Sequence, residues 1–85
     1  MNITDAQVDT FYRSAAWKRT RQHKLSLNPL CETCKLSNEI VKAVIVHHSL
    51  PIRKYWDLRF DMRYLFSLCE SCHMSVEDEI RREGP

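Results

Sequence analysis

The sequence predicts one small α+β domain with a helical arm at its N-terminus and a compact core after it. Three observations indicate this fold class: apolar residues at helical spacing before residue 28, two short apolar segments after it, and two Cys-x-x-Cys pairs. The chain has 85 residues, which is enough for one domain. We therefore expect a single unit over 1–85, with the arm at 1–28 and the core at 29–85.

The arm carries the signals of a helix that begins near residue 5. Thr4 and Gln7, three residues apart, have the spacing of a capping box, and apolar residues then recur with a helical period up to residue 16. Residues 17–25 either continue this helix or form a second one capped by Ser14, and the spacing leaves both open. Pro29 ends the arm, because the residue before a proline disfavours the α conformation.

Two strands, a turn, a loop and a helix are expected in the core. Residues 40–46 are apolar and rich in β-branched side chains, which indicates a strand, and residues 65–68 indicate a second one. A compact turn is expected over 29–38 and an irregular loop with a turn of helix over 51–63. A final helix is expected from Ser71 onward.

The charge of the chain is small but unevenly distributed. Of the net +2, residues 1–28 contribute +3, residues 29–68 contribute +2 and residues 69–85 contribute −3. This bias is compatible with one face meeting a polyanion, although it is weaker than the basic stripe of a dedicated DNA-binding domain. No apolar run approaches the roughly 20 residues of a membrane span, and the N-terminus lacks the pattern of a secretory signal. We expect a cytoplasmic protein with no membrane partner.

The two Cys-x-x-Cys pairs, Cys31 with Cys34 and Cys69 with Cys72, predict a structural zinc site. Each turn can place two thiolates on one zinc, and two turns complete a tetrahedral site. Disulfides are disfavoured in a reducing compartment, and a redox motif would need only one pair in a βαβ setting. Because so short a chain has a marginal core, removal of the zinc should unfold it.

Three histidines, His47, His48 and His73, lie between or beside the cysteine pairs. Adjacent side chains at a strand end point to opposite sides, so that one of the first two can face a metal and the other a substrate. If the cysteine pairs meet, His73 is carried toward the strand end. It could then share a divalent cation with one strand histidine and leave the other as a general base. The alternatives are polar surface residues or a histidine that replaces a cysteine at the zinc.

In combination these residues resemble the HNH endonuclease family, in its small zinc-containing form from phage and prophage genomes. The landmarks occur in order along most of the chain: Phe11-Tyr12-x-Ser14-x-x-Trp17-Lys18 with Arg21, then Asn28-Pro29-Leu30-Cys31-x-x-Cys34, then Val46-His47-His48-x-x-Pro51, and finally Leu65-x-x-Leu68-Cys69-x-x-Cys72-His73. The resemblance implies a ββα-metal, treble-clef-like fold, in which two strands and a helix hold one divalent cation.

The resemblance also implies a function, a metal-dependent DNA endonuclease that leaves 5′-phosphate and 3′-hydroxyl ends. It assigns the general base to His48, one catalytic cation (Mg²⁺, Mn²⁺, Ni²⁺ or Zn²⁺) to His47 and His73, and the structural Zn²⁺ to the four cysteines. DNA is the expected partner, in the cytoplasm of a bacterial host. Phage relatives act beside DNA-packaging proteins, which makes such proteins expected partners as well. The oligomeric state is not indicated.

Two features depart from the family pattern. Tyr64 stands where the family has its middle asparagine, so we expect the Tyr64 hydroxyl to orient the base or its ring merely to pack. Residues 74–79, commonly basic in relatives, are acidic here. Both features favour an alternative function, a non-catalytic zinc-containing nucleic-acid-binding or adaptor module on a degenerate HNH scaffold. A third alternative is a purely structural zinc module.

Five basic residues are expected to contact DNA. Lys18, Arg21 and Lys24 recur every third residue and are expected to share the outer side of the helical arm. Arg53 and Lys54 follow the paired histidines. For each of them a solvated surface position is the alternative, and the salt dependence of binding separates the two.

Overall fold

Helices surround a two-stranded sheet in the computed structural model, which describes residues 2–83, with side chains up to residue 76. In chain order the regular elements are α1 (Asp5–Arg13), α2 (Ala15–Leu27), α3 (Glu32–Leu36), β1 (Ile45–His48), β2 (Leu65–Leu68) and α4 (Glu70–Glu83). Two short 3₁₀ turns, Trp56–Leu58 and Met62–Tyr64, lie between the strands. None of the helices described is long and apolar enough to cross a bilayer.

The arm consists of two helices, which resolves the alternative that the spacing left open. The capping box of Thr4 and Gln7 begins α1 as predicted. Ser14 then ends α1 and begins α2, because its hydroxyl donates to Phe11 O (2.6 Å) and accepts from Trp17 N (3.1 Å). A serine that bonds in both directions satisfies one end group of each helix at the point where the chain turns between them.

The first predicted strand is wrong in its bounds. Residues 40–46 were expected to form one strand, but only the last two of them belong to β1. The earlier part pairs with the chain that precedes α3, since Cys31 N donates to Val41 O (2.7 Å) and Ala43 N donates to Pro29 O (2.9 Å). The same segment therefore closes the first cysteine turn before it enters the sheet.

The sheet is an antiparallel pair, and its two faces support different parts of the domain. The register is Ile45 with Leu68, Val46 with Ser67, His47 with Phe66, and His48 with Leu65. Val46 and Leu65 pack with Phe11 and Trp17 of the arm in one buried cluster. A second cluster contains Cys31, Leu68 and Cys69, with Val76 of α4 packed against it.

Lys24 is buried, contrary to the expectation that it lies on the outer side of the arm. It is 6% exposed, its Nζ lies 3.2 Å from Glu32 Oε2, and it donates to Asn28 Oδ1 (2.7 Å). Glu32 Oε2 also accepts from Ser67 N (2.6 Å), so this group joins α2, α3 and β2. The prediction failed because residues three apart drift by about 60° per step around a helix.

The last helix follows β2 almost at once and begins at Glu70, one residue earlier than expected. Cys69 directly precedes this helix and Cys72 lies in its first turn, and His73 N donates to Cys69 O (3.0 Å). The acidic side chains at 77–79 lie outside the described side chains. Because α4 begins so soon after β2, Cys72 and His73 both lie in the first turn of the helix, next to the sheet.

Candidate active site

Four sulfur atoms meet where the first cysteine turn approaches the end of β2. The Sγ atoms of Cys31, Cys34, Cys69 and Cys72 all lie within 4.8 Å of one another. Cys34 Sγ is 3.8 Å from Cys69 Sγ and 3.6 Å from Cys72 Sγ. Four sulfurs that each lie about 2.3 Å from a tetrahedral zinc are about 3.8 Å apart. The spacing and the donor chemistry therefore both fit a structural zinc.

Hydrogen bonds within this cluster give the thiols different proton affinities. Burial raises the pKa of Cys31. The backbone N–H groups of Cys34 and Cys69 and the neighbouring thiols outweigh this effect and lower the pKa to about 6. Hydrogen bonds with Cys72 and Cys31 raise the pKa of Cys34. A site that favours one thiolate among close thiols is suited to a dication, which binds thiolates and releases their protons.

His47 and His73 lie against each other, as the predicted metal pair requires. Their ring centroids are 5.4 Å apart, their ring planes are inclined by 68°, and both side chains are half-buried. His47 comes from β1 and His73 from the first turn of α4, so the cysteine cluster also sets their separation. Two imidazoles at this distance can direct one nitrogen each at a single cation, and imidazole suits several divalent metals.

His48 faces the opposite side of the sheet and lies among aromatic rings. Its imidazole stacks on the Trp17 indole, with centroids 4.9 Å apart, and meets the Phe11 ring edge-on at 5.8 Å. Its Nε2 lies 2.9 Å from Arg59 O. The alternation of a strand therefore separates the two adjacent histidines, as the sequence predicts.

The Arg59 carbonyl determines which nitrogen of His48 is available. A carbonyl oxygen only accepts hydrogen bonds, so neutral His48 carries its proton on Nε2 and its lone pair on Nδ1. Burial lowers the pKa of His48, while the bond to the Arg59 carbonyl raises it in part. The net direction is downward, which keeps the ring neutral at neutral pH. A neutral imidazole with one oriented lone pair is suited to act as a general base.

All three histidines line one cleft of about 460 Å³. Tyr12 and Arg21 of the arm line the same cleft, and the Tyr12 hydroxyl lies 3.4 Å from His48 Nδ1. A pair of imidazoles suited to hold a cation and an oriented imidazole base thus open onto the same space.

Tyr64 occupies the expected asparagine position but makes different contacts. Its carbonyl accepts from Ser49 N (2.9 Å), which joins the chain after β1 to the chain before β2. Its ring lies 5.4 Å from the Arg63 guanidinium. The Nε2–H of His48 donates to the Arg59 carbonyl instead. The contacts described for Tyr64 thus place its backbone in the framework of the site.

The basic residues predicted to contact DNA lie in different surroundings. Arg21 lines the cleft and donates through Nη2 to Val44 O (2.8 Å). Lys18 is exposed and lines a neighbouring groove that shares Tyr12 and Trp17 with the cleft. Lys24 is buried and cannot reach a duplex. Of these three residues, only Arg21 and Lys18 therefore lie on the face that leads to the histidines.

The other two predicted DNA contacts are exposed and lie in the loop after β1. Arg53 forms an ion pair with Asp5 at the start of α1. Lys54 Nζ lies 5.8 Å from the Tyr55 ring centroid. Both charges face solvent, so both are available to a large anionic partner.

Two antiparallel strands followed at once by a helix carry this cleft, which is the ββα-metal arrangement of a metal-dependent nuclease. Among solved structures, the chain resembles the HNH endonuclease of the deep-sea thermophilic bacteriophage GVE2, crystallised with a manganese ion. The two are 39% identical with a TM-score of 0.88, over 95% of this chain and 89% of that one. The chain belongs to the HNH endonuclease family and is an endonuclease. No protein-family model matches it, and a search of curated proteins gives no significant match.

Sequence reasoning missed three contributors to the environment of His48. Trp17 and Tyr12 are helix residues and family landmarks in the sequence, but their distance along the chain gives no link to a histidine in β1. The Arg59 carbonyl carries no signal at all, because every residue has one. The aromatic side chains of Tyr12 and Trp17 in a largely polar arm were the available hint for the first two.

Proposed function

We propose that this endonuclease hydrolyses phosphodiester bonds of DNA with His48 as the general base. His47 and His73 would hold one divalent cation, and the four cysteines a structural zinc. The products would be 5′-phosphate and 3′-hydroxyl ends. The observation that carries the proposal is the single cleft lined by His47, His48 and His73.

The chemistry of His48 follows from its hydrogen bond to Arg59. Nδ1 accepts a proton from a water molecule while Nε2–H remains bonded to the carbonyl. The water oxygen then attacks phosphorus, and the bond from phosphorus to the 3′ oxygen breaks. Because Trp17 and the Arg59 carbonyl hold the ring, little rotamer freedom is lost when the substrate arrives.

The pair of His47 and His73 fits a cation with open coordination positions. Both ligands are neutral imidazoles, so a bound dication would keep its full charge for the phosphate. When bound, the cation polarises the phosphate and stabilises negative charge on the leaving oxygen. The manganese of the GVE2 endonuclease structure makes Mn²⁺ the first cation to test here.

DNA would approach across the arm. Lys18 and Arg21 lie beside the cleft, where they would contact phosphates next to the scissile one. Arg53 and Lys54 would contact the backbone farther along. Contacts of this kind fix the position of the duplex without reading its sequence.

Plasmid nicking tests the proposal. Supercoiled plasmid is incubated with zinc-loaded protein and Mg²⁺, Mn²⁺, Ni²⁺ or Zn²⁺, and wild type is compared with His48→Ala. The variant should lose at least about 100-fold in rate, the scale of general base catalysis, with unchanged zinc content and circular dichroism. His23→Ala is the matched control, since His23 is an exposed histidine of α2 and should leave the rate unchanged.

The ends of the cut DNA test the product assignment. DNA ligase should reseal nicked plasmid without prior phosphatase or kinase treatment, as 5′-phosphate and 3′-hydroxyl ends require. Full activity of His48→Ala would contradict its role as the base. Protein that binds plasmid but cuts it with none of the four metals would instead be a non-catalytic nucleic-acid-binding module.

A further inference from the structure

The hydroxyl of Tyr12 lies beside the nitrogen that the proposed base would use. Its oxygen is 3.4 Å from His48 Nδ1, the atom left with the lone pair by the Arg59 carbonyl. Tyr12 also lines the cleft that His47, His48 and His73 share. The residue is 41% exposed, so it is in contact with solvent.

Ring packing holds this hydroxyl at a defined place. The Tyr12 ring meets Phe11 at 5.0 Å, Trp17 at 5.8 Å and His48 at 5.9 Å between centroids, each in an edge-on arrangement. Trp17 also stacks on His48, so Tyr12 and His48 rest on the same indole. A hydroxyl supported in this way keeps its position relative to Nδ1, as a precise catalytic group requires.

The distance makes a direct hydrogen bond between Tyr12 and His48 weak, so a water that enters the cleft can replace it. A good O–H···N hydrogen bond is shorter than about 3.2 Å, so the 3.4 Å between the Tyr12 oxygen and His48 Nδ1 makes a weak one. Two atoms at this separation can each contact one water at about 2.8 Å. Such a water would lie in the cleft, next to the imidazole that removes its proton.

We propose that Tyr12 is a further catalytic residue, which holds the attacking water against His48 Nδ1. The proposal rests on the proposed function of His48. The Tyr12 oxygen accepts one hydrogen of the water and Nδ1 accepts the other. The second hydrogen passes to Nδ1 as a proton, the water oxygen bonds to phosphorus, and the bond to the 3′ oxygen breaks. That oxygen takes a proton from solvent, and Tyr12 keeps its own.

Steady-state kinetics on Tyr12→Phe test the proposal. The substitution keeps the ring and its packing and removes only the hydroxyl. We expect kcat to fall by about tenfold, the scale of one neutral hydrogen bond, with KM within twofold of wild type. Tyr55→Phe is the matched control, because Tyr55 is a 38% exposed tyrosine outside the cleft, and it should not change kcat. An unchanged kcat in Tyr12→Phe, or a rise in KM alone, would overturn the proposal.

A second measurement separates holding a water from fixing the ring. In ¹⁵N NMR spectra of the histidine side chains, the proton of neutral His48 should stay on Nε2 in both wild type and Tyr12→Phe. A move to Nδ1 in the variant would mean that Tyr12 acts by fixing the tautomer, which would overturn its role at the water.

The same experiments separate a failure of the proposed function from a failure of the role of Tyr12. Wild-type protein that never cuts plasmid would remove both proposals together. Wild type that cuts, with His48→Ala inactive and Tyr12→Phe fully active, would remove only the role of Tyr12. A thermal melt of each zinc-loaded variant should match wild type, since removal of an exposed hydroxyl changes stability by less than about 0.5 kcal/mol.

Discussion

The imidazole of His48 stacks on the indole of Trp17, with ring centroids 4.9 Å apart and planes inclined by 27°. Trp17 is 5% exposed and belongs to the buried cluster that joins the arm to the sheet. One side chain of α2 thus stabilises the domain and supports the proposed base. The arm therefore contributes to the proposed active site as well as to the core.

Truncation of Trp17 should therefore damage fold and activity together. Trp17→Ala removes a buried ring, which costs about 3–5 kcal/mol of unfolding free energy, a large part of the roughly 5–15 kcal/mol of a small domain. Urea unfolding of the zinc-loaded protein measures the loss. Leu36→Ala is the control, because Leu36 is 86% exposed and should change stability by less than about 0.5 kcal/mol. A Trp17→Ala protein as stable as wild type would contradict this account.

Removal of zinc should unfold the domain. A structural zinc can supply about 10 kcal/mol or more to folding, as much as the whole stability of a domain of this size. We expect elemental analysis to give one zinc per chain, and a chelator or Cys72→Ser to abolish the helical circular dichroism. Ser71→Ala, inside the same turn but without a thiol, should keep both zinc and fold. A chelated protein that keeps its spectrum would refute the structural role.

Because the charge of Lys24 is buried, the loss of Glu32 and the loss of Lys24 should cost different amounts of unfolding free energy. Glu32→Gln leaves an ammonium at a 7% exposed side chain without its carboxylate, while Gln can still accept from Ser67 N. Lys24→Met removes the charge itself and leaves Glu32 29% exposed to water. We expect Glu32→Gln to cost about 2 kcal/mol or more and Lys24→Met clearly less, because an unpaired buried charge is worse than none. Urea unfolding decides the order, and the reverse order would show that Lys24 is solvated.

The histidine pair should bind one cation beyond the zinc. Calorimetric titration of zinc-loaded wild type with Mn²⁺ should show one further site. His47→Ala and His73→Ala should each weaken it by at least about tenfold, since loss of even an outer partner of a metal ligand costs that much. Their zinc content should stay at one per chain, and His23→Ala should bind Mn²⁺ as wild type does. Equal Mn²⁺ affinity in all variants would place the cation elsewhere.

The salt dependence of DNA binding should locate the duplex on the arm. In a His48→Ala background, which prevents cutting, Lys18→Gln should reduce the slope of log Kd against log salt by about 0.9 for the lost phosphate contact. Lys35→Gln is the control, because Lys35 lines a separate cavity beside Leu36 and Phe66. Identical slopes for both variants would mean that DNA does not cross the arm.

Local signals determined most of the architecture in advance. The capping box at Thr4, the second strand at Leu65–Leu68 and the final helix were predicted from short-range patterns and are confirmed. The family and the fold class, inferred from the ordered landmarks, are confirmed by the likeness to the GVE2 endonuclease. The helix and strand signals depend on residues a few positions apart, and the family landmarks depend only on their order along the chain, so the sequence alone is sufficient to indicate them.

Other features depended on partners that are distant in the chain. The β-branched run at 40–46 looks like one strand, yet its first half pairs with the backbone around Cys31, and no local pattern favours that partner. Lys24 is a charged residue of the kind usually found at the surface, but helix geometry places it on the inner side of α2, where Glu32 of another helix pairs with it. In each case a tertiary hydrogen bond or ion pair outweighed a local preference.

The sequence by itself determined which residues could do chemistry here, since the spacing of cysteines and histidines reflects the demands of metal ions. Tertiary structure alone decided how His48 is held, because its ring contacts come from Tyr12, 36 positions away, and from the Arg59 carbonyl, 11 positions away. Ligand spacing is a property of neighbouring residues and can be recognised in one dimension. The orientation of a ring is set by whatever surrounds it, and those surroundings exist only after the chain has folded.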